Sequence, residues 1–104
     1  MKRRLIAKVM IDRAGQLFVV PELEPEATYE YIYREANGLR WNRTHRALHA
    51  NEPARWEHVE LLRHISATLN SACDEELVFT KCTEWEGVPP DLQESLRSAL
   101  SGHS

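Results

Sequence analysis

The opening stretch of the chain alternates its side chains with a period of two, and this constrains the fold more than any other feature. One face carries Leu5, Ala7, Val9 and Ile11, and the other carries Arg4, Ile6, Lys8 and Met10. Such alternation is typical of a β-strand. Residues 12–15 supply turn chemistry, with Gly15 suited to a positive φ at a bulge, and Pro21 stops the apolar run at 17–20. The sequence therefore predicts an N-terminal β-hairpin.

A second alternating stretch follows an acidic loop at residues 21–27. Its aromatic positions are Tyr29, Tyr31 and Tyr33. Aromatic residues at this spacing suit a pleated surface, and Asn37-Gly38 is a strong hairpin-turn signal. We therefore predict a third strand at 29–34 paired with a fourth at 39–47. The choice between strand and helix stays open for residues 43–50, because Trp41, His45 and Leu48 also fit helical spacing.

The second half of the chain changes to helical periodicity. The apolar positions from Trp56 onward are Val59, Leu62, Ile65 and Leu69. Asn51 is suited to cap this helix, with Pro53 in its first turn, and the helix should end near residues 70–71. Residues 77–85 then predict a strand, and residues 90–102 a last helix that closes at Gly102.

This order, β-β-β-β-α-β-α, predicts one α+β domain spanning residues 1–104, with a mainly antiparallel sheet and its helices packed on one face. The 42% hydrophobic and 28% charged content suits a folded domain. No apolar run approaches membrane-spanning length, and Lys8 and Asp12 interrupt the signal-peptide-like start. We expect a soluble, cytoplasmic protein with Cys73 and Cys82 reduced.

Several kinds of chemistry have no sequence motif here. The four glycines are scattered, so no phosphate-binding loop is present, and we expect no cofactor. His45 and His49 would share one side of a helix, but on a strand they would be about 13 Å apart, too far for one ion. We predict no metal site.

Charge is unevenly distributed along the chain. Residues 39–64 hold five arginines against three glutamates, whereas residues 74–94 hold seven acids and one lysine. Such separation favours self-association, or an acidic surface that meets a basic protein partner. The overall net charge of −3 argues against nucleic-acid binding.

We favour a small non-enzymatic binding module that acts as a homo-oligomer, since Tyr, Trp and Arg are enriched at interfaces. The predicted contact residues are Tyr29, Tyr31, Tyr33, Trp41, Arg43 and Arg46. One alternative is a small-ligand site or acid–base enzyme that uses His45, Glu30 and Arg43 on paired strands. Another is an acidic antitoxin or immunity protein whose segment 74–94 neutralises a basic partner.

Two resemblances accompany these patterns. Residues 5–23 are similar to the opening hairpin of HicB-type antitoxins. That family continues with a Pro-Gly-Cys-like turn and a helix, whereas this chain continues with Glu24-Pro25-Glu26 and the predicted tyrosine strand. The segment 29–41, YEYIYREANGLRW, resembles orphan bacterial proteins encoded in integron gene cassettes. This second resemblance implies a bacterial accessory protein and implies no site residues.

Overall fold

The structure is a computed structural model that describes residues 2–24, 27–34, 38–52 and 55–100. Within these ranges the strands are β1 (Lys2–Ile11), β2 (Leu17–Pro21), β3 (Leu39–Asn42), β4 (Ala47–Ala50), β5 (Glu75–Val78) and β6 (Glu84–Glu86). The helices are α1 (His58–Cys73) and α2 (Pro90–Leu100), and a single-turn 3-10 helix spans Ile32–Arg34.

The strands form one mixed sheet in the order β3-β4-β2-β1-β5, and β6 pairs with β1 along the same edge as β5. The pairs β1–β2, β2–β4 and β3–β4 are antiparallel, whereas β5 and β6 both run parallel to β1. The predicted α+β class with a mainly antiparallel sheet is therefore confirmed, with one more strand before the last helix than the predicted order.

The N-terminal hairpin forms as predicted, and its turn is held by one carboxylate. Asp12 Oδ1 accepts hydrogen bonds from the backbone N–H groups of Ala14 and Gln16, at 3.0 and 2.9 Å. Gly15 takes a φ of +85°, which a glycine adopts without strain. The Asp12 N–H donates to Gln16 O at 3.1 Å, which leaves residues 13–15 as a three-residue loop. A loop of this length that ends in a left-handed residue fits the twist of an antiparallel pair.

A β-bulge changes which residues of β1 face the core. The pairing with β2 shifts between Ile6 and Lys8, so Ala7 is an extra residue on this strand. A bulge shifts the alternation of side chains by one residue. Ile6 and Val9 therefore face the same buried cluster, whereas in a strand without the bulge they would face opposite sides. The strict alternation that we predicted for β1 is wrong beyond residue 6 for this reason.

The predicted tyrosine strand at 29–34 is wrong. This segment forms a turn and the 3-10 helix, with Tyr29 O accepting from Ile32 N at 2.9 Å and Tyr31 O from Arg34 N at 3.0 Å. Ile32 is 3% exposed and packs in the core, whereas the flanking tyrosines point outward. Burial of this one isoleucine outweighs the strand preference of the tyrosines, because propensity yields to tertiary contacts.

The pairing that we predicted across Asn37-Gly38 is also replaced. Asn37 lies outside the described residues, and β3 instead pairs with β4 across a turn at 43–46. Asn42 Oδ1 accepts from His45 N at 2.9 Å in this turn, and Arg46 takes a φ of 52°. Residues 43–50, which the sequence left open, are thus a turn followed by a strand.

Helix α1 begins at His58, seven residues later than the Asn51 cap that we predicted. The Asn51 side chain is used elsewhere, since its Oδ1 accepts from Arg40 Nε at 3.0 Å, and Pro53 lies outside the described residues. At the other end Asp74 takes a left-handed conformation with φ 55°, and its N–H donates to Leu69 O. This backbone cap ends the helix after Cys73.

The predicted strand at 77–85 is interrupted by a turn at Thr80–Thr83. Thr83 Oγ1 accepts from Thr80 N at 3.0 Å, and Thr80 Oγ1 accepts from Cys82 N at 3.0 Å. The Thr83 hydroxyl also donates to the buried carbonyl of Ile6 at 2.7 Å. Hydroxyl groups thus take the place of strand-ladder hydrogen bonds in the residues that separate β5 from β6.

The main core lies between the sheet and α1. It joins Ile6, Val9, Leu17, Val19, Leu48 and Leu77 of the sheet to Leu61, Leu62, Ile65 and Leu69 of α1 and Leu96 of α2. A small second cluster of Met10, Phe18 and Ala47 lies apart from this core. In the part of the chain that the structure describes, no helix is long and apolar enough to cross a membrane.

Candidate interaction surface

The 3-10 helix presents two tyrosines to solvent. Tyr31 is 58% exposed and Tyr33 is 45% exposed, and no other large apolar side chain among the described residues is as accessible. Their ring centroids lie 6.4 Å apart. The buried Ile32 between them anchors the turn, so the two rings are held side by side at the surface.

Two arginines lie against these rings. The Arg34 guanidinium carbon is 4.6 Å from the Tyr31 centroid and 5.9 Å from the Tyr33 centroid, and that of Arg40 is 5.6 Å from Tyr33. These are cation–π distances. We call Tyr31, Tyr33, Arg34 and Arg40 the tyrosine–arginine patch. It lies at the β3 edge of the sheet, because Arg40 belongs to β3.

Of the other four predicted contact residues, Tyr29, Trp41 and Arg46 lie in more enclosed settings, whereas Arg43 is exposed. Tyr29 and Trp41 pack edge to face at 5.6 Å and contact the main core. Arg46 donates to the backbone carbonyls of Glu24 and Ala27, at 3.2 and 2.8 Å, and thereby fastens the loop after β2. Of the six predicted residues, Tyr31 and Tyr33 offer the most accessible apolar surface.

The residues of the predicted acid–base site are placed in two different contacts. Arg43 forms an ion pair with Glu30, whereas the ring of His45 packs on Phe18 with centroids 5.6 Å apart. Paired strands at 30 and 43 do not form, since both residues lie in turns. The structure thus brings Glu30 and Arg43 into contact, whereas His45 packs on Phe18.

His45 and His49, the pair considered above for metal binding, both pack against the ring of Phe18. His49 lies 5.2 Å from the Phe18 centroid, on the same ring that His45 contacts. His49 Nδ1 is also 2.9 Å from Gln16 Nε2. Across the described residues, no group of three His, Cys, Asp or Glu side chains is arranged to hold a metal ion.

Arg4, Glu75 and Tyr29 form a buried ionic cluster that we did not predict from the sequence. Glu75 Oε2 accepts from Arg4 Nη2 at 2.6 Å and from Arg4 Nε at 3.2 Å, and Glu75 Oε1 accepts from the Tyr29 hydroxyl at 2.5 Å. Arg4 and Glu75 are both 8% exposed. No local pattern reveals this cluster, because its two charged residues are 71 positions apart.

The electrostatics of this cluster favour a fixed charge. Burial raises the pKa of Glu75, but the hydrogen bonds from Arg4 and Tyr29 outweigh it and hold that pKa below its ordinary value. Burial is the largest cause that raises the pKa of the Tyr29 phenol, and the hydrogen bond to Glu75 raises this pKa further. The carboxylate therefore stays ionised and the phenol stays protonated near neutral pH, which suits a structural tie between segments better than proton transfer.

Opposite charges occupy opposite edges of the sheet. Arg40 pairs with His49, and the Val19–Leu48 pairing places Phe18 opposite His49. The same row continues through Met10 to Glu86 on β6. Directly paired residues share a sheet face, so this face runs from Arg40 on β3 to three glutamates on β5 and β6. Two bases of β1 lie beside these glutamates, since Arg3 pairs with Glu76 and Lys8 Nζ lies 2.9 Å from Glu86 Oε1. We call Glu76, Glu84 and Glu86, all exposed, the acidic edge.

The fold and this surface define a small α+β protein with a mixed sheet and a polarised sheet face. Residues 4–83 match the family model described as Integron Cassette Protein Hfx_Cass5. The chain therefore belongs to this family of integron cassette proteins, and the predicted resemblance to integron cassette proteins is confirmed. Helix α2 lies beyond the matched range.

One solved structure is similar over its whole length. Its title is "Structure from the mobile metagenome of North West Arm Sewage Outfall: Integron Cassette Protein Hfx_Cass5". It is 34% identical to this chain, covers 98% of this chain and 99% of its own, and superimposes with a TM-score of 0.44. No curated protein matches this chain.

Proposed function

We propose that this integron cassette protein is a non-enzymatic binding module that self-associates through the tyrosine–arginine patch. The observation that carries the proposal is the exposure of Tyr31 and Tyr33, at 58% and 45%, beside Arg34 and Arg40. Tyrosine and arginine dominate the energetic centres of interfaces. Most large apolar side chains of the described residues are instead buried or partly buried.

A second copy supplies a complementary surface in the acidic edge. The patch carries two arginines, and Glu76, Glu84 and Glu86 lie exposed on the opposite edge of the same sheet. Contact between the patch of one copy and the acidic edge of another joins opposite charges and covers two tyrosine rings. Such complementarity steers association and sets its orientation.

Sedimentation velocity at increasing protein concentration tests this proposal. We expect the wild-type chain to form oligomers, and the double variant Tyr31→Ser/Tyr33→Ser to weaken association by about tenfold or more, since about 1.4 kcal/mol is tenfold. Arg13→Ser is the control, because this exposed arginine lies in the β1–β2 turn and is not part of the patch. A monomeric wild-type chain at every concentration would overturn the proposal.

Salt and charge reversal test the role of the acidic edge separately. Raising NaCl from 0.1 to 1 M shortens the screening length from about 10 to about 3 Å, so association should weaken. Arg40→Glu and Glu84→Arg should each associate poorly alone, whereas a mixture of the two should form a heterodimer. If the mixture stays monomeric while the wild-type chain associates, the acidic edge is not the partner surface.

Two alternatives stay predictions. The ion pair of Glu30 with Arg43 supports a polar site near β3, without a contact to His45 among those described. The acidic edge would also suit a basic protein partner, as an antitoxin or immunity role requires. If Tyr31→Ser/Tyr33→Ser abolishes self-association and Glu84→Arg leaves self-association unchanged, the acidic edge is available for that second role.

A further inference from the structure

We propose that a cleft beside Trp56 binds a small organic cation. The cleft encloses about 400 Å³ and is lined by Gly38, Glu52, Arg55, Trp56 and Glu60. It lies where the residue before β3 meets the segment that leads into α1. Its volume falls within the range of small-molecule sites, roughly 300–1,000 Å³. The proposal is independent of self-association, because none of these residues belongs to the tyrosine–arginine patch.

The aromatic wall of the cleft is held in place by its neighbours. The Trp56 ring stacks on the His64 ring with centroids 4.8 Å apart and an interplanar angle of 13°. Gly38 packs against the indole so closely that an added Cβ would lie 3.5 Å from two of its ring atoms. Gly38 also has a φ of +87°, so this close approach occurs at a position that favours glycine. The indole is fixed by these two neighbours and also lines the cleft, and tryptophan is the strongest cation–π ring.

The charged groups of the cleft favour a positive ligand. Arg55 Nε lies 2.8 Å from Glu52 Oε2, so this arginine and this glutamate neutralise one another. Glu60 supplies a second carboxylate in the first turn of α1. The described lining therefore carries two acids and one base beside an aromatic ring. That balance attracts a singly charged cation and disfavours an anion, and the volume leaves room for an apolar substituent.

Isothermal titration with choline and with 3,3-dimethyl-1-butanol, its uncharged isostere, tests this inference. We expect choline to bind with one site per chain and the alcohol to bind about tenfold more weakly or not at all, since cation–π attraction and a carboxylate both require the charge. Glu60→Gln should weaken choline binding by about tenfold and Trp56→Leu by at least as much. Glu94→Gln is the matched control, because it neutralises an exposed helical glutamate on α2, which does not line the cleft.

Glu60 is exposed, so Glu60→Gln should fold normally and tests the charge even if Trp56→Leu is destabilised. Equal binding of choline and the alcohol, or unchanged choline binding in Glu60→Gln, would overturn the assignment of a cation site. Absence of choline binding to the wild-type chain at millimolar concentration would overturn it as well.

Discussion

At the scale of single residues, two glycines with similar backbone angles face different surroundings. Gly15 has a φ of +85° and nothing within 4 Å of an added Cβ, whereas Gly87 has a φ of +69° and an added Cβ would lie 2.5 Å from Ile11 O. Both positions lie in the left-handed region, but at Gly87 a side chain also meets the backbone of β1. That contact explains why the chain after β6 needs a glycine here.

We therefore expect Gly87→Ala to destabilise the protein more than Gly15→Ala. Left-handed strain should cost roughly 1–2 kcal/mol at either site, and the clash with Ile11 O should add about 1–3 kcal/mol at Gly87. Urea unfolding followed by circular dichroism measures both free energies of unfolding. Equal losses for the two variants would show that the backbone near β6 yields without cost.

At the scale of secondary-structure elements, the break between β5 and β6 depends on the Thr83 hydroxyl. This group accepts from Thr80 N and donates to Ile6 O, and Thr83 is 6% exposed. The turn lets two short strands use one edge of β1 on either side of its bulge. A continuous strand from 77 to 85 would leave the bulged part of β1 without regular partners.

Thr83→Val should cost about 1–3 kcal/mol of unfolding free energy, because it keeps the shape but leaves a buried carbonyl and a backbone N–H without their partner. Thr83→Ser is the matched control, since it keeps the hydroxyl and should lose less than about 1 kcal/mol with the methyl group. Thermal and urea unfolding give the two values. Similar losses for Val and Ser would assign the role of Thr83 to packing.

At the scale of the whole molecule, the Arg4–Glu75–Tyr29 cluster joins three distant parts of the chain. Arg4 lies in β1, Glu75 in β5, and Tyr29 in the segment between β2 and β3. Arg4 Nη1 also donates to Glu22 O at 2.8 Å. The cluster thus connects the edge of the sheet to the segment that leads to the tyrosine–arginine patch.

We expect Glu75→Gln to lower the free energy of unfolding at pH 7 by roughly 3 kcal/mol, because the buried Arg4 guanidinium would then have the exposed Glu24 carboxylate, 3.9 Å away, in place of its buried partner. The exposed neighbour Glu76 provides the control, and Glu76→Gln should change stability by less than about 0.5 kcal/mol. Urea unfolding at pH 7 measures both variants. A loss for Glu75→Gln no larger than that for Glu76→Gln would contradict a stabilising role.

The pH dependence of the same pair has a defined sign. The folded-state pKa of Glu75 lies below its ordinary value of 4.5, so its contribution is fully present above that value and is lost as the pH falls through the folded-state pKa. The stability gap between the wild-type chain and Glu75→Gln should therefore narrow below pH 4.5. A gap that stays constant from pH 7 to pH 3 would contradict the assignment of the ionised carboxylate.

The sequence by itself determined the secondary structure that depends on contacts between residues close together in the chain. The β1–β2 hairpin follows from alternation, Asp12 and Gly15, the amphipathic α1 follows from its apolar spacing, and together they define the α+β class. Tyr31 and Tyr33 were also among the predicted contact residues, although on a strand that does not form. These features depend on side-chain period and turn chemistry, which a few neighbouring residues supply.

Only the tertiary structure decided the features that need distant partners. Burial of Ile32 sets the 3-10 helix, the carbonyl of Ile6 receives the hydroxyl that separates β5 from β6, and Glu75 meets Arg4 across 71 positions. The polarised sheet face likewise arises because the strand order places β3 and β6 on opposite edges. Local propensities are small compared with burial and buried hydrogen bonds, so these long-range contacts override them once the core forms.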